Sequence, residues 1–227
     1  MAQLLNTNLF TDSNLVAYYR LEDISDSKGS NTLTNNGSIA FNPAQYANGA
    51  DLGETNTSKY LSRPDSLGIG GNSEFSVAFW IKLRTEISSG LYRLISFYSQ
   101  IGADRYLIFN YEYNAGALRL TANAAGGTTA DYTVTLGTST FHHVAVTRSV
   151  SGNALKLYFD GTLVASGTIG TDTAGDNQFL IGSVLGGGSY ASALIDDMGI
   201  FNRVLTATEI GTLYNILPGG AFFFTLT

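Results

Sequence analysis

Apolar and polar residues alternate along most of this chain with a period of two. In EFSVAFWIKL (74–83), Phe75, Val77, Phe79, Ile81 and Leu83 fall on one face, and Ser76, Ala78, Trp80 and Lys82 on the other. That is the pattern of a strand with one buried face. NALKLYFDGTLVASG (153–167) repeats it, with Leu155, Leu157 and Phe159 inward and Lys156 and Tyr158 outward. Its Asp160-Gly161 step is a strong hairpin signal, because both turn residues tolerate a left-handed backbone. The same reading predicts further strands at 15–21, 58–62, 92–99, 105–111, 117–122, 131–136, 141–148, 178–182 and 193–201. Clusters such as GIGGNS, NAAGGTT, SVSGN and VLGGGS separate them with turn chemistry. One stretch reads as a helix. In TATEIGTLYN (206–215), Thr206 and Glu209 have the spacing of a capping box, and Ile210 and Leu213 face inward. Short strands at this spacing predict an all-β fold, an antiparallel two-sheet β-sandwich with one short C-terminal helix. No linker divides the chain, so one domain is expected.

Composition narrows the function classes. The chain has 227 residues and a net charge of −6, without a run of Lys or Arg. A nucleic-acid partner therefore lacks its electrostatic footprint, and no membrane insertion is expected. There is no cysteine, which removes thiolate nucleophiles and Cys-type zinc sites. The two histidines, His142 and His143, are too few for a His-rich metal site. The N-terminal MAQLLNTNLFTDSNL shows no signal peptide. Charged residues are only 13%, while Tyr and Phe number 13 each, a balance that suits recognition by stacking and hydroxyl contacts.

Seven blocks in order carry a resemblance: LVAYYRLED, YANGADLGETNTSKYLS, EFSVAFWIKL, FHHVAVTR, LKLYFDGTLVA, FLIGS and LIDDMGIFNRVLTATEI. The sequence resembles a laminin G-like jelly-roll domain of the concanavalin A-like lectin/glucanase superfamily, over roughly residues 12–215. The resemblance implies a jelly roll with one concave sheet; from the sequence itself the domain is expected to span 1–218, followed by an apolar tail at 219–227. Similar domains occur in secreted bacterial proteins and phage structural proteins, so an extracellular or virion location is expected.

Asp196 and Asp197 raise the first chemical question. Strict alternation puts Ile195 and Asp197 on one face and Leu194, Asp196 and Met198 on the other, so one carboxylate nears the interior unless the strand is irregular. A buried carboxylate needs a cation or several N–H donors. Calcium accepts carboxylate and carbonyl oxygens in loose geometry, and the loop EDISDSKGSN offers Glu22, Asp23, Asp26 and Asn31. The resemblance implies a structural calcium joining this loop to the IDD block, with Asp196 as the aligned position and Asp26 or the carbonyls around it as its partner; Asp26, Asn31, Asp196 and Asp197 form the candidate set. The alternative is that Asp23 and Asp26 are turn residues and Asp197 is solvated. Adjacent strand carboxylates diverge, so the pair is a poor acid/base couple, and the alternating acidic strand of the related glucanases is missing. The protein is therefore expected to be non-catalytic.

A sugar-binding surface is the second question. Trp80, Lys82, His143, Lys156 and Tyr158 share the outward face and could stack a pyranose ring and bond its hydroxyls. Trp80 is also a large apolar side chain, and the favoured reading for it alone is that a loop covers it and it simply packs. The loops at 123–132 and 183–190 are the alternative site. The apolar FFFTLT end either completes the domain's own edge or adds a strand to a neighbour. Two functions remain open: a carbohydrate-binding or adhesion domain stabilised by calcium, or a structural subunit of a virion, phage appendage or fibre that assembles through 219–227.

Overall fold

The computed structural model describes residues 8–54, 57–69, 73–99, 105–124, 127–170, 177–184 and 189–216. The strands run β1 (Leu15–Tyr19), β2 (Thr34–Asn36), β3 (Ala40–Pro43), β4 (Asn48–Asp51), β5 (Tyr60–Arg63), β6 (Phe75–Leu83), β7 (Leu91–Ser99) and β8 (Arg105–Asn114). They continue as β9 (Ala117–Asn123), β10 (Ala130–Thr133), β11 (His142–Ser149), β12 (Ala154–Phe159), β13 (Thr162–Gly167), β14 (Asn177–Ile181) and β15 (Ala193–Phe201), followed by helix α1 (Ala207–Asn215). One sheet has the order β13-β12-β11-β6-β15-β4-β3, with β1 also paired to β15; the other is β10-β9-β8-β7-β14-β5-β2. All strand pairs are antiparallel.

The inward stripe of β6 does what its alternation predicts. Phe75 meets Phe97 of β7 at 5.7 Å between ring centroids, and Phe79 meets Phe109 of β8 at 5.8 Å, closing the sandwich core. The hairpin forms where expected: Asp160 (φ 47°) and Gly161 (φ 76°) link Phe159 to Thr162, the backbone of a type I′ turn. Thr206 and Glu209 form the reciprocal capping box of α1. Strands β2, β3 and β4 are additional to those predicted; TNN, AFNP and NGAD are too short and polar to show alternation.

A second apolar layer lies outside the first sheet. Tyr18, Ala78, Ala145, Tyr158 and Phe201 leave the sheet on its outer face and pack with Leu205, Ile210 and Leu213 from α1 and its lead-in. Arg203 fixes this layer by donating to Asp12 in the N-terminal segment (Nε 2.8 Å) and to Glu209 on the helix (2.6 Å). Those contacts hold Glu209 well below the usual carboxylate range, at about 2, with the Arg203 hydrogen bond as the main cause.

Candidate functional site

Strand β15 contains the irregularity that its two carboxylates imply. A bulge lies between Asp196 and Gly199, and Asp197 takes a left-handed backbone at φ 47°, a conformation Asp tolerates better than most residues. The bulge shifts the alternation by one. Leu194 and Asp196 face outward, whereas Met198 points into the core with Ile195 and Ile200. Strict alternation had placed Met198 beside Asp196; the extra residue is the reason it does not lie there. Asp197 is not solvated either. It is 6% exposed and accepts a hydrogen bond from the Tyr18 hydroxyl.

Asp196 sits in a cross-strand row with Trp80 of β6 and His143 of β11. Gly49 makes room for it, since a Cβ there would stand 3.2 Å from the Asp196 Cβ and 2.7 Å from the Ile195 carbonyl oxygen. Asp196 Oδ2 accepts the Tyr46 N–H at 2.7 Å, while Oδ1 is buried with no hydrogen-bond partner among the described residues. Burial first, and then the Asp197 charge, push its pKa up to about 8.

The oxygen donors proposed for calcium divide into two groups. Asp26 is engaged at both carboxylate oxygens: Oδ1 accepts the N–H groups of Tyr18 and Lys28 at 2.9 Å, and Oδ2 accepts from Asn31 N and Nδ2. Asn31 also donates to the Val16 carbonyl, and its own carbonyl accepts the Tyr19 hydroxyl at 2.7 Å. These two residues organise the loop after β1 through N–H donors. Asp196 differs in keeping one carboxylate oxygen without a hydrogen-bond partner among the described residues, while Asp197 accepts from Tyr18. Among the described residues, no group of three or more His, Asp or Glu side chains is arranged to hold a metal ion.

The outward-facing set for sugar divides as well. Trp80 is 5% exposed: Tyr214 of α1 stacks on it at 5.9 Å, Tyr46 meets it edge-on at 6.0 Å, and His143 packs at 5.3 Å. His143 is buried and its pKa falls to about 4, because burial disfavours the imidazolium. These two side chains do point outward as the alternation predicts, but α1 covers them. Period-two patterning specifies a face; it does not reveal whether another element packs on it. Lys82 is half-buried and holds its Nζ 4.8 Å from the Phe141 ring centroid.

Lys156 and Tyr158 remain together. Both line a groove of about 600 Å³ between the β11–β12–β13 surface and the start of α1. Thr147 and Ser149 of β11, Leu163 of β13, and Leu205 and Thr206 at the helix N-terminus complete it. Register explains the grouping. Thr147 lies opposite Lys156, and Ala145 opposite Tyr158, so their side chains share the outer face. Leu163 is 45% exposed on the groove's open side, and Tyr158 is a largely buried floor. No sequence signal marks the helix-side wall, because it depends on where α1 docks.

The outer face of the second sheet carries another polar row that the sequence reading did not single out. Arg93 donates to Asn110 Oδ1 at 2.9 Å, and Asn110 Nδ2 to Thr121 at 3.3 Å, across β7, β8 and β9. The end loops at 123–132 and 183–190 include residues outside the described ones, as does the 219–227 tail invoked for assembly.

Two antiparallel sheets around one core, with a helix-flanked groove on the outer face, define a lectin-type jelly-roll sandwich. The chain belongs to the laminin G-type family of the concanavalin A-like lectin/glucanases superfamily, whose sequence profile matches residues 54–211. No curated protein sequence matches the chain significantly. Among solved structures, it is similar to domain 4 of AbnA, an extracellular arabinanase of Geobacillus stearothermophilus solved with arabinotriose. The identity is 22%, with a TM-score of 0.67, over 89% of this chain and 98% of that one. It is also similar to a structure of botulinum neurotoxin type C, whose cell entry is described as dependent on two ganglioside molecules. There the identity is 16%, with a TM-score of 0.70, over 92% of this chain and 53% of that one. The binding domain of Paraclostridial Mosquitocidal Protein 1 matches at 16% identity and TM-score 0.66, over 89% and 52%. The chain thus spans about half the length of these toxin structures and nearly all of the arabinanase domain. Identities this low show a shared fold.

Proposed function

We propose that this domain is a non-catalytic carbohydrate-binding module, serving adhesion or substrate targeting, and that its sugar contact is the groove beside α1. The observation that carries the reading is the groove's composition. Hydroxyls of Thr147, Ser149 and Thr206 and the Lys156 ammonium stand beside the apolar surfaces of Tyr158, Leu163 and Leu205. A sugar ring presents the matching mixture, hydroxyls at its rim and C–H groups on its face. The similar arabinanase domain was solved with a bound oligosaccharide, which supports the same use of the fold here.

In the calcium-stabilised form of this proposal, Asp196 and Asp197 hold the ion, and its charge offsets a carboxylate that burial otherwise keeps protonated. Asp26 and Asn31 would join only by giving up the N–H partners described above. A glycan array probed with the wild type and with Ala154→Trp, which fills the groove from β12, tests the reading. Binding to a defined set of glycans that the filled variant loses, at unchanged melting temperature, is expected. Equal binding by both proteins would move the site elsewhere on the sandwich.

A further inference from the structure

The groove's charge pattern narrows the ligand beyond carbohydrate in general. Lys156 stands mid-strand on β12, with Thr147 opposite it on β11 and Ser166 opposite it on β13. Among the described residues it makes no ion pair. Several arginines are paired: Arg63 with Asp65, Arg84 with Asp51, Arg119 with Asp131, and Arg203 with Asp12 and Glu209; Lys59 and Lys82, outside the groove lining, make no ion pair among the described residues either. Lys28 donates to the carbonyls of Phe10 and Asp12.

The groove lining contains no carboxylate. Two acids engage hydroxyls of the lining, Glu74 that of Ser149 at 3.4 Å and Glu209 that of Thr206 at 2.9 Å. Glu74 also accepts from the hydroxyl of Ser151 at 2.8 Å, and Glu209 is held by Arg203 and by the Thr206 N–H at 2.7 Å. An ammonium offers three donors and no acceptor, whereas hydroxyls can do either. Ser149 and Thr206 direct their hydroxyl protons to those two acids, so the Lys156 ammonium is the groove's one charged group and no anion in the lining answers it. A saccharide bearing a carboxylate or sulfate supplies that anion. The apolar wall of Tyr158, Leu163 and Leu205 lowers the local dielectric and strengthens the pairing. In a chain of net charge −6, an uncompensated lysine in a groove of this kind stands out as a recognition element.

We propose that the groove selects anionic saccharides and that Lys156 receives their acidic group. The inference rests on the carbohydrate-binding reading above. Its test is an array holding uronic, sialylated and sulfated oligosaccharides beside neutral ones, probed with wild type, Lys156→Gln and Lys156→Arg. The leading hit is then titrated beside its methyl-esterified or desulfated form. Acidic glycans should dominate the wild-type hits. Neutralising the ligand, or replacing Lys156 by Gln, should each weaken binding roughly tenfold, as expected for a charge-assisted hydrogen bond. The two changes together should cost little more than either alone, and Lys156→Arg should retain most of the affinity. Wild-type hits that are neutral and indifferent to Lys156→Gln would overturn this proposal and leave carbohydrate binding intact. No hits of any kind would overturn both.

Discussion

Replacing Asp196 by Asn should abolish a specific pH dependence of stability. Burial and the Asp197 charge raise this carboxyl from 3.8 to about 8, so the folded protein keeps a proton that the unfolded chain releases. Stability from this group is therefore full below the unfolded value and falls as pH rises from about 4 to 8, by at most about 1.36 kcal/mol per unit. Between pH 5 and pH 7 this group taken alone loses about 2.6 kcal/mol, equivalent by itself to about 5–10 °C of melting temperature at ~2–4 °C per kcal/mol. His143 acts with the opposite sign. Its pKa is lowered to about 4, so its contribution is lost as pH falls from 6.5 toward that value. Wild-type stability should consequently be nearly flat between pH 5 and 6.5 and decline above. His143 is common to both proteins, so the variant-minus-wild-type difference isolates Asp196. Chemical unfolding of both proteins at pH 5, 6, 7 and 8, with EDTA present, measures it. The variant's advantage should grow by about 2.6 kcal/mol from pH 5 to 7. A pH-independent difference would refute the assignment of Asp196 as a buried, neutral carboxyl.

Three further outcomes follow from the same geometry. If Asp196 and Asp197 hold calcium, millimolar calcium should raise the wild-type melting temperature more at pH 7.5 than at pH 5 and leave Asp196→Asn unchanged; equal responses in a calorimetric scan would remove the ion from this place. Trp80, the single tryptophan, should show blue-shifted emission that resists acrylamide, and Tyr214→Ala should make it quenchable. Glu209→Ala removes half of the capping box and the Arg203 pair, so it should destabilise by about 1–2 kcal/mol. Hydrogen exchange should then accelerate first in α1, and uniform acceleration across the sandwich would contradict the local role.

Much of this fold is legible in one sequence because one face of each main strand is buried. The stripe Phe75, Val77, Phe79, Ile81 needs only its spacing to be read, and Asp160-Gly161 needs only its turn chemistry. Thr206 and Glu209 announce the helix by the same kind of local rule. The candidate site is less legible because it depends on how elements meet. Trp80 and His143 point outward, but only the docking of Ile210, Leu213 and Tyr214 decides that they are covered. Lys156 and Tyr158 were readable as outward neighbours, yet the wall that makes a groove of them comes from residues some fifty positions later. The bulge at Asp197 illustrates the same limit: two acids in a strand hint at irregularity, but its phase shift, which turns Met198 inward, follows from tertiary packing.

Backbone amide shift mapping during titration with an array-identified oligosaccharide locates the sugar contact on the sandwich. The largest perturbations should cluster at Thr147, Ser149, Lys156, Leu163 and Thr206, around the groove beside α1. Perturbations centred instead on Arg93, Asn110 and Thr121, on the outer face of the other sheet, would contradict the groove as the sugar contact.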